Sequence, residues 1–225
     1  MARTLIIADI HANLAALEAV LAAAESFDEV WNLGDTVGYG PDPISVCERV
    51  DALKPAVWLA GNHDLAATGD LSLGAFNQSA AEAAVWTSDQ LPDRWRNQLR
   101  DLPTSGATEI ASFAHGSVRD PIWEYVLTEE SALACLSATT TGLVVVGHSH
   151  VALRASIDIR RQRVSLARSE AGTLLNIGGD RWLINPGSVG QPRDGDPRAA
   201  YALLDRKAAR VSFHRVPYDI ARTQR

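Results

Sequence analysis

The chain has 225 residues, 46% of them hydrophobic and 21% charged, the make-up of an ordinary soluble globular protein with a sizeable core. Lys and Arg number 21 against 27 Asp and Glu, a net charge of −6, which argues against a broad grip on a long nucleic-acid backbone. Cys47 and Cys135 stand far apart with no C-x-x-C, so neither a disulfide framework nor a zinc ribbon is suggested and two buried thiols are expected. The opening apolar run, Leu5 to Ala8, is too short for a signal peptide. No stretch approaches the roughly 20 apolar residues of a membrane span. A cytoplasmic protein with no membrane partner is expected.

In chain order, Thr4–Ala8 reads as a buried parallel strand, and Leu14, Leu17, Val20, Leu21 and Ala24 then repeat at helical spacing behind an Asn13 cap. Phe27–Leu33 reads as a second strand. Asp42 and Pro43 open a helix striped by Ile44, Cys47, Val50 and Leu53, and Ala56–Ala60 is a third strand. This β-α-β-α-β order predicts a parallel sheet with right-handed crossovers. The pattern is helical from Asn77 to Leu102, strand-like over Ile110–Ala114, helical from a Thr128 cap through Ser137, and strand-like again over Leu143–Val146. Beyond Val151 short alternating segments end in a hairpin from Tyr201 to Val216. The expectation is an α/β fold of two packed mixed sheets flanked by helices, a four-layer sandwich, with residues 1–225 as a single domain.

The histidines carry the chemistry. Five of the six, His11, His63, His115, His148 and His150, follow an apolar strand-like run by one to four residues, at the strand ends where open α/β sheets form sites. Acids and an amide accompany them as Asp9-x-His11, Gly34-Asp35, Gly61-Asn62-His63-Asp64, His115-Gly116 and Gly147-His148-Ser149-His150. Imidazole mixed with carboxylate and no thiolate suits Mn, Fe, Zn or Ni and argues against structural zinc. Gly34, Gly61, Gly116 and Gly147 stand where backbone must turn sharply or approach closely. Each piece alone is an ordinary turn; the ordered set of five is not. His214 lies in an alternating strand and reads as structural, Arg160-Arg161-Gln162-Arg163 as a solvated hairpin, and Trp31, Trp58 and Trp86 as core.

The ordered set resembles the signature of the calcineurin-like metallophosphoesterases: D-x-H, G-D, G-N-H-D/E, a lone His and G-H-x-H. The resemblance runs from Asp9 to His150 and on into Asn185-Pro186-Gly187-Ser188-Val189, similar to the compact prokaryotic branch. Gly38–Pro43 and the stretch from Phe76-Asn77 to Trp86-Thr87 look like a subgroup related to diadenosine tetraphosphatases and Ser/Thr phosphatases. It implies two divalent or trivalent transition metals, one on Asp9, His11 and His150, the other on Asn62, His115 and His148, with Asp35 bridging. A metal-bridging hydroxide would attack the phosphoryl group. His63 would protonate the leaving oxygen or stabilise its charge, and Asp64 would hold its ring in the right tautomer.

One departure concerns the substrate. Eukaryotic-type protein phosphatases carry G-D-x-V-D-R-G, and here the stretch Gly34–Gly40 has Gly38 and Tyr39 at the Asp and Arg positions. That weakens a phosphoprotein reading and favours small phosphoesters: a phosphodiester, a nucleotide or a dinucleoside polyphosphate. Tyr39, Arg119, Tyr125 and Arg193 are the candidate substrate contacts, the arginines for a distal phosphate and Tyr125 or Trp123 for stacking a base. The alternative for those two aromatics is the core. Two other functions stay open, a protein-binding scaffold of the same fold and a nuclease on short oligonucleotides, and so does an oligomer.

Overall fold

The computed structural model describes residues 3–24, 26–158 and 163–224. Arg160, Arg161 and Gln162 of the expected solvated hairpin lie outside the described residues. In chain order come β1 (Arg3–Ile7), α1 (Leu14–Ala23), β2 (Glu29–Asn32), α2 (Pro43–Ala52), β3 (Val57–Trp58) and α3 (Asn62–Thr68). Next are α4 (Gln78–Gln90), α5 (Asp93–Arg100), β4 (Ser105–Ala107), β5 (Ala111–Ala114), α6 (Glu129–Ser137) and β6 (Leu143–Val146). The chain finishes with β7 (Leu153–Asp158), β8 (Arg163–Arg168), β9 (Leu174–Asn176), β10 (Arg181–Asn185), β11 (Ala199–Asp205), β12 (Arg210–Val216) and α7 (Ile220–Gln224).

The strands form two six-stranded mixed sheets, ordered β3-β2-β1-β11-β12-β9 and β4-β5-β6-β10-β7-β8. The early strands β1, β2 and β3 run parallel, and β11 closes antiparallel on β1 with Leu5 opposite Leu203. In the second sheet β5, β6 and β10 are parallel, and β7 and β8 antiparallel. Strand periodicity sorts β1 between two layers: Ile6 and Ala8 face the other sheet, Leu5 and Ile7 the helix side with Leu17, Val20 and Val50. Trp31 and Phe113 meet edge to face between the sheets, ring centroids 4.6 Å apart. On the outer face of the second sheet, Ala132, Cys135 and Leu136 of α6 cover Val144, Val146 and Leu183. The expected four layers are present.

Several elements differ from the expectation. The helical stretch from Asn77 to Leu102 is two helices, because Pro92 cannot supply the N–H that a continuing helix needs and instead caps α5. α3 has no counterpart among the expected elements, and Asn62, His63 and Asp64 form its first turn directly after β3. Asp42 precedes α2 without any side-chain cap bond, Pro43 alone marking the start. Trp31 is core and Trp58 half-buried, but Trp86 is 42% exposed on α4, whose buried side is Ala80, Ala84 and Thr87. His214 has the expected structural role, stacked on Tyr201 and hydrogen-bonded to the Ser212 hydroxyl at 2.7 Å. Both cysteines are buried and free. No helix among the described residues is long and apolar enough to cross a membrane.

Candidate metal centre

Asp9 and His11 follow β1, Asp35 follows β2, Asn62 begins α3 just after β3, His115 follows β5, and His148 and His150 follow β6. Both sheets therefore deliver side chains from the carboxyl ends of parallel strands to one rim. All seven are buried. Ligand atoms of Asp9, His11, Asp35 and His150 lie within 4.8 Å of one another, as do those of Asp35, His115 and His148, so Asp35 belongs to both groups. Asn62 joins the second group, its Oδ1 lying 3.1 Å from His115 Nε2.

The rings are turned in a common sense. Nδ1 of His11 faces the Val37 carbonyl at 3.2 Å, Nδ1 of His115 the Leu33 carbonyl at 2.9 Å, and Nδ1 of His150 the Gln191 carbonyl at 2.6 Å. A carbonyl only accepts, so each Nδ1 carries its proton there and each Nε2 points inward, with its lone pair free on His11 and His150. Nε2 atoms of His11 and His150 then face each other at 3.0 Å, an arrangement that a cation between them relieves. Asp9 Oδ2, Asp35 Oδ2 and His148 Nε2 are buried without a hydrogen-bond partner, a cost that coordination removes. The donor set of imidazole, carboxylate and one amide oxygen fits transition-metal cations.

Tight backbone brings these groups together. Asp9, His11, Ala12, Asp35, Tyr39, His148 and His150 all have φ between 49° and 62°, a left-handed conformation that costs a side-chain-bearing residue about 1–2 kcal/mol. Seven such residues in the motif loops mean that packing of the sheets holds the loops in place. Gly61 lies so close to Asp35 that a Cβ there would come within 2.1 Å of Oδ1. Gly34, at φ +97°, would put a Cβ 2.9 Å from His115 Nδ1.

Electrostatics divides the cluster. Burial pushes Asp35 up, but His115, His63 and His11 together hold it well below the usual carboxylate range. His115 is driven the other way from its neighbours: burial opposes its charge, yet Asp35 and Asp9 push it up to about 9. Burial carries His148 down to about 3, helped by His115, and His150 down to about 3, helped by Arg193. His11 is held well below the imidazole range by burial, against the pull of Asp35. Asp9 rises to about 7, chiefly through burial. Neutral imidazoles around one fixed anion are ready for a cation, and His115 carries the proton that a cation displaces.

His63 stands beside the cluster. Its backbone N–H donates to Asp35 Oδ1 at 2.9 Å, fixing that oxygen, and its ring packs on Tyr39 at 4.4 Å and Phe76 at 5.1 Å. Asp64 does not hold that ring. It accepts from the N–H groups of Val37 at 2.9 Å, Gly61 at 3.0 Å and Thr36 at 3.2 Å, while His63 Nδ1 has no partner. Three main-chain donors satisfy a buried carboxylate better than one ring would, so Asp64 stabilises the Asp35 loop. Tyr39 and Arg193 line the cavity over the centre with Tyr125, which stacks on His148 at 4.2 Å, and Arg193 donates to Gln191 Oε1 at 2.7 Å. Arg119 does not line that cavity; it is ion-paired with Glu124. Trp123 lines it, packed edge to face on Phe76. Phe76 and Asn77 also line the cavity, and neither is among the site residues expected from the sequence. Asn77, where the helical pattern begins in the sequence, caps α4 by accepting from Ala80 N–H at 3.0 Å; that this helix start faces the centre has no sequence mark.

Paired mixed sheets with acid and imidazole groups gathered at a shared rim define a metal-binding α/β sandwich. The chain belongs to the calcineurin-like phosphoesterase superfamily, whose domain matches residues 3–209, and is a metal-dependent phosphoester hydrolase. It is 46% identical to a metallophosphoesterase of Sphaerobacter thermophilus of known crystal structure, with a TM-score of 0.91 over 99% of this chain and 91% of that one. An uncharacterized protein of Methanocaldococcus jannaschii is 35% identical over 230 residues, 96% of this chain and 87% of the relative. A hypothetical protein of Pyrococcus horikoshii shares the fold, with a TM-score of 0.76 at 20% identity over 100% of this chain and 91% of that one.

Proposed function

We propose that the chain hydrolyses small phosphoesters at a two-cation centre, one cation on Asp9, His11 and His150, the other on Asn62, His115 and His148, with Asp35 between. The observation that carries this reading is Asp35 itself. One of its oxygens is fixed by the His63 N–H, and the other lies 3.5 Å from His11 Nε2 and 3.4 Å from His115 Nε2 with no hydrogen bond of its own. Bound Mn, Fe, Zn or Ni would neutralise phosphoryl oxygens and activate water.

The remaining work falls to the chain's own groups. Hydrolysis joins a water oxygen to phosphorus and breaks the ester P–O bond, and the departing oxygen takes a proton. His63 borders the cavity without being one of the cation-binding groups, so it is the residue to meet that oxygen. Burial lowers its pKa while Asp35 raises it, which makes a proton held there easy to hand on. Asn62, a neutral donor, limits the negative charge that an anionic substrate meets. Arg193, exposed at the rim beside Tyr39, supplies a cation for a phosphate oxygen. Two reduced, buried thiols accord with a cytoplasmic setting.

The test is turnover of 4-nitrophenyl phosphate, a cyclic nucleotide and a dinucleoside polyphosphate by protein reloaded with Mn²⁺. Activity that chelation abolishes and metal restores is the expected result. Protein that takes up metal and turns over none of them would instead be a binding scaffold.

A further inference from the structure

The cavity directly over the centre is small, about 90 Å³, and is lined by Asp35, His63, His148 and their neighbours. It has room for little more than the phosphoryl group. A groove of about 600 Å³ adjoins it, and Tyr125 and Arg193 are walls of both spaces. That is the size of a site for a whole organic ligand. Buried Val151 and Leu153 form its floor, and Leu127, 45% exposed, and Leu166 its sides. Arg193 stands at the near end and Arg168 also lines it, with no carboxylate among its lining residues. Apolar walls with two guanidinium groups suit an organic group that carries negative charge.

The groove leaves the centre on a particular side. Neither His63 nor the rings packed on it, Tyr39 and Phe76, line it. A phosphomonoester has a single organic substituent, and that substituent departs where His63 meets its oxygen. A monoester therefore leaves this groove empty.

We propose that the groove seats a second substituent on phosphorus, so that the preferred substrate is a phosphoric diester whose retained group has a planar ring and ends in a further anion. The inference rests on the phosphoesterase reading above and on His63 meeting the leaving oxygen. Water oxygen adds to phosphorus, the ester bond on the His63 side breaks, and that alcohol leaves with a proton. The group in the groove stays on phosphorus as a monoester. Tyr125, Leu127 and Leu166 contact its ring, and Arg168 pairs with its terminal anion.

Four probes with one leaving group, 4-nitrophenolate, test this on the metal-loaded enzyme. They are 4-nitrophenyl phosphate, methyl 4-nitrophenyl phosphate, thymidine 5′-(4-nitrophenyl phosphate), and the same nucleoside diester with a 3′-phosphate. The expected kcat/KM rises in that order, by at least about tenfold from the methyl diester to the nucleoside diester, the size of one stacking contact. Arg168→Glu should remove the gain from the 3′-phosphate, and Leu127→Asp the gain from the nucleoside. Equal kcat/KM for methyl and nucleoside diesters, or a monoester turned over best, overturns the groove's role and leaves the phosphoesterase reading standing. No release of nitrophenolate from any of the four removes both.

Discussion

His150 and His115 both turn Nδ1 to a main-chain carbonyl, but the two carbonyls come from different parts of the molecule. Gln191, the partner of His150, lies in the loop after β10, which also bonds to Asp9 through Gly190 N–H at 3.0 Å and the Ser188 hydroxyl at 2.7 Å. Arg215 on β12 pins the far end of that loop by pairing, almost fully buried, with Asp194. The partner of His115 is Leu33, at the end of β2, whose own N–H bonds to Ile7 of β1. Asp9 and His150 of one half thus lean on a late loop, with His11 turned to Val37, and the other half leans through His115 on the centre of the first sheet. Charge separates them as well. His115 is pushed up to about 9 and keeps a proton, whereas His11 and His150 are pushed down and stay neutral. The lesson is that two similar donor sets can differ in what supports them and in how they respond to acid.

Asp35 is where the halves meet, so Asp35→Ala erases the difference by emptying both. Its activity should fall further than the roughly 10²–10⁴-fold that loss of a general acid costs, with both cations gone. Removing His11 alone should leave the second half loaded; loss of both cations in His11→Ala would show that the halves are not separable. His63→Ala tests the boundary of the centre. We expect both cations to stay while kcat drops roughly 10²–10⁴-fold, least for nitrophenolate, which hardly needs a proton to leave. Release of a cation would make His63 a ligand.

The loop supports only one half, and Arg215→Met sharpens that contrast. Leaving Asp194 buried and unpaired should cost about 3–5 kcal/mol of stability, measured by urea unfolding. Cation affinity should fall roughly 10–100-fold at the first half alone, as expected when the support of a ligand is lost, with partial rescue by Arg215→Lys. Equal weakening of both halves would mean that the loop is general scaffolding.

The smallest expected effect is a matter of protons. Near pH 8 Asp9, raised to about 7, is mostly ionised, whereas His115, raised to about 9, is still mostly protonated. Cations bind the deprotonated forms, so affinity should climb with pH and level off above about 9. Calorimetry at pH 8 in two buffers of different ionisation heat should show proton release on filling the second half and little on filling the first. Loading of the second half without proton release would contradict the charge assigned to His115.

The layers and the residue types gathered at the rim were legible in the sequence because both follow local rules. Apolar runs mark buried strands, and His, Asp and Asn directly after them mark the rim. What escaped depends on distant partners or on direction. The left-handed backbone at His148 and His150 is held by packing and has no sequence mark beyond the neighbouring Gly147. The family resemblance implies that Asp64 orients His63, but the carboxylate turns to the Val37 and Thr36 N–H groups. Arg119 was expected at the phosphate before its pairing with Glu124, five residues on, was visible. The groove brings Leu127 together with Leu166 of β8, segments that meet only once the second sheet is assembled.

Two cations sharing Asp35 are the centre of the proposed function, and cation stoichiometry against activity tests them directly. Stripped protein titrated with Mn²⁺, read by elemental analysis and by turnover of the same samples, should bind two per chain, with activity rising only as the second fills. Full activity at one cation per chain, or without any, would contradict it.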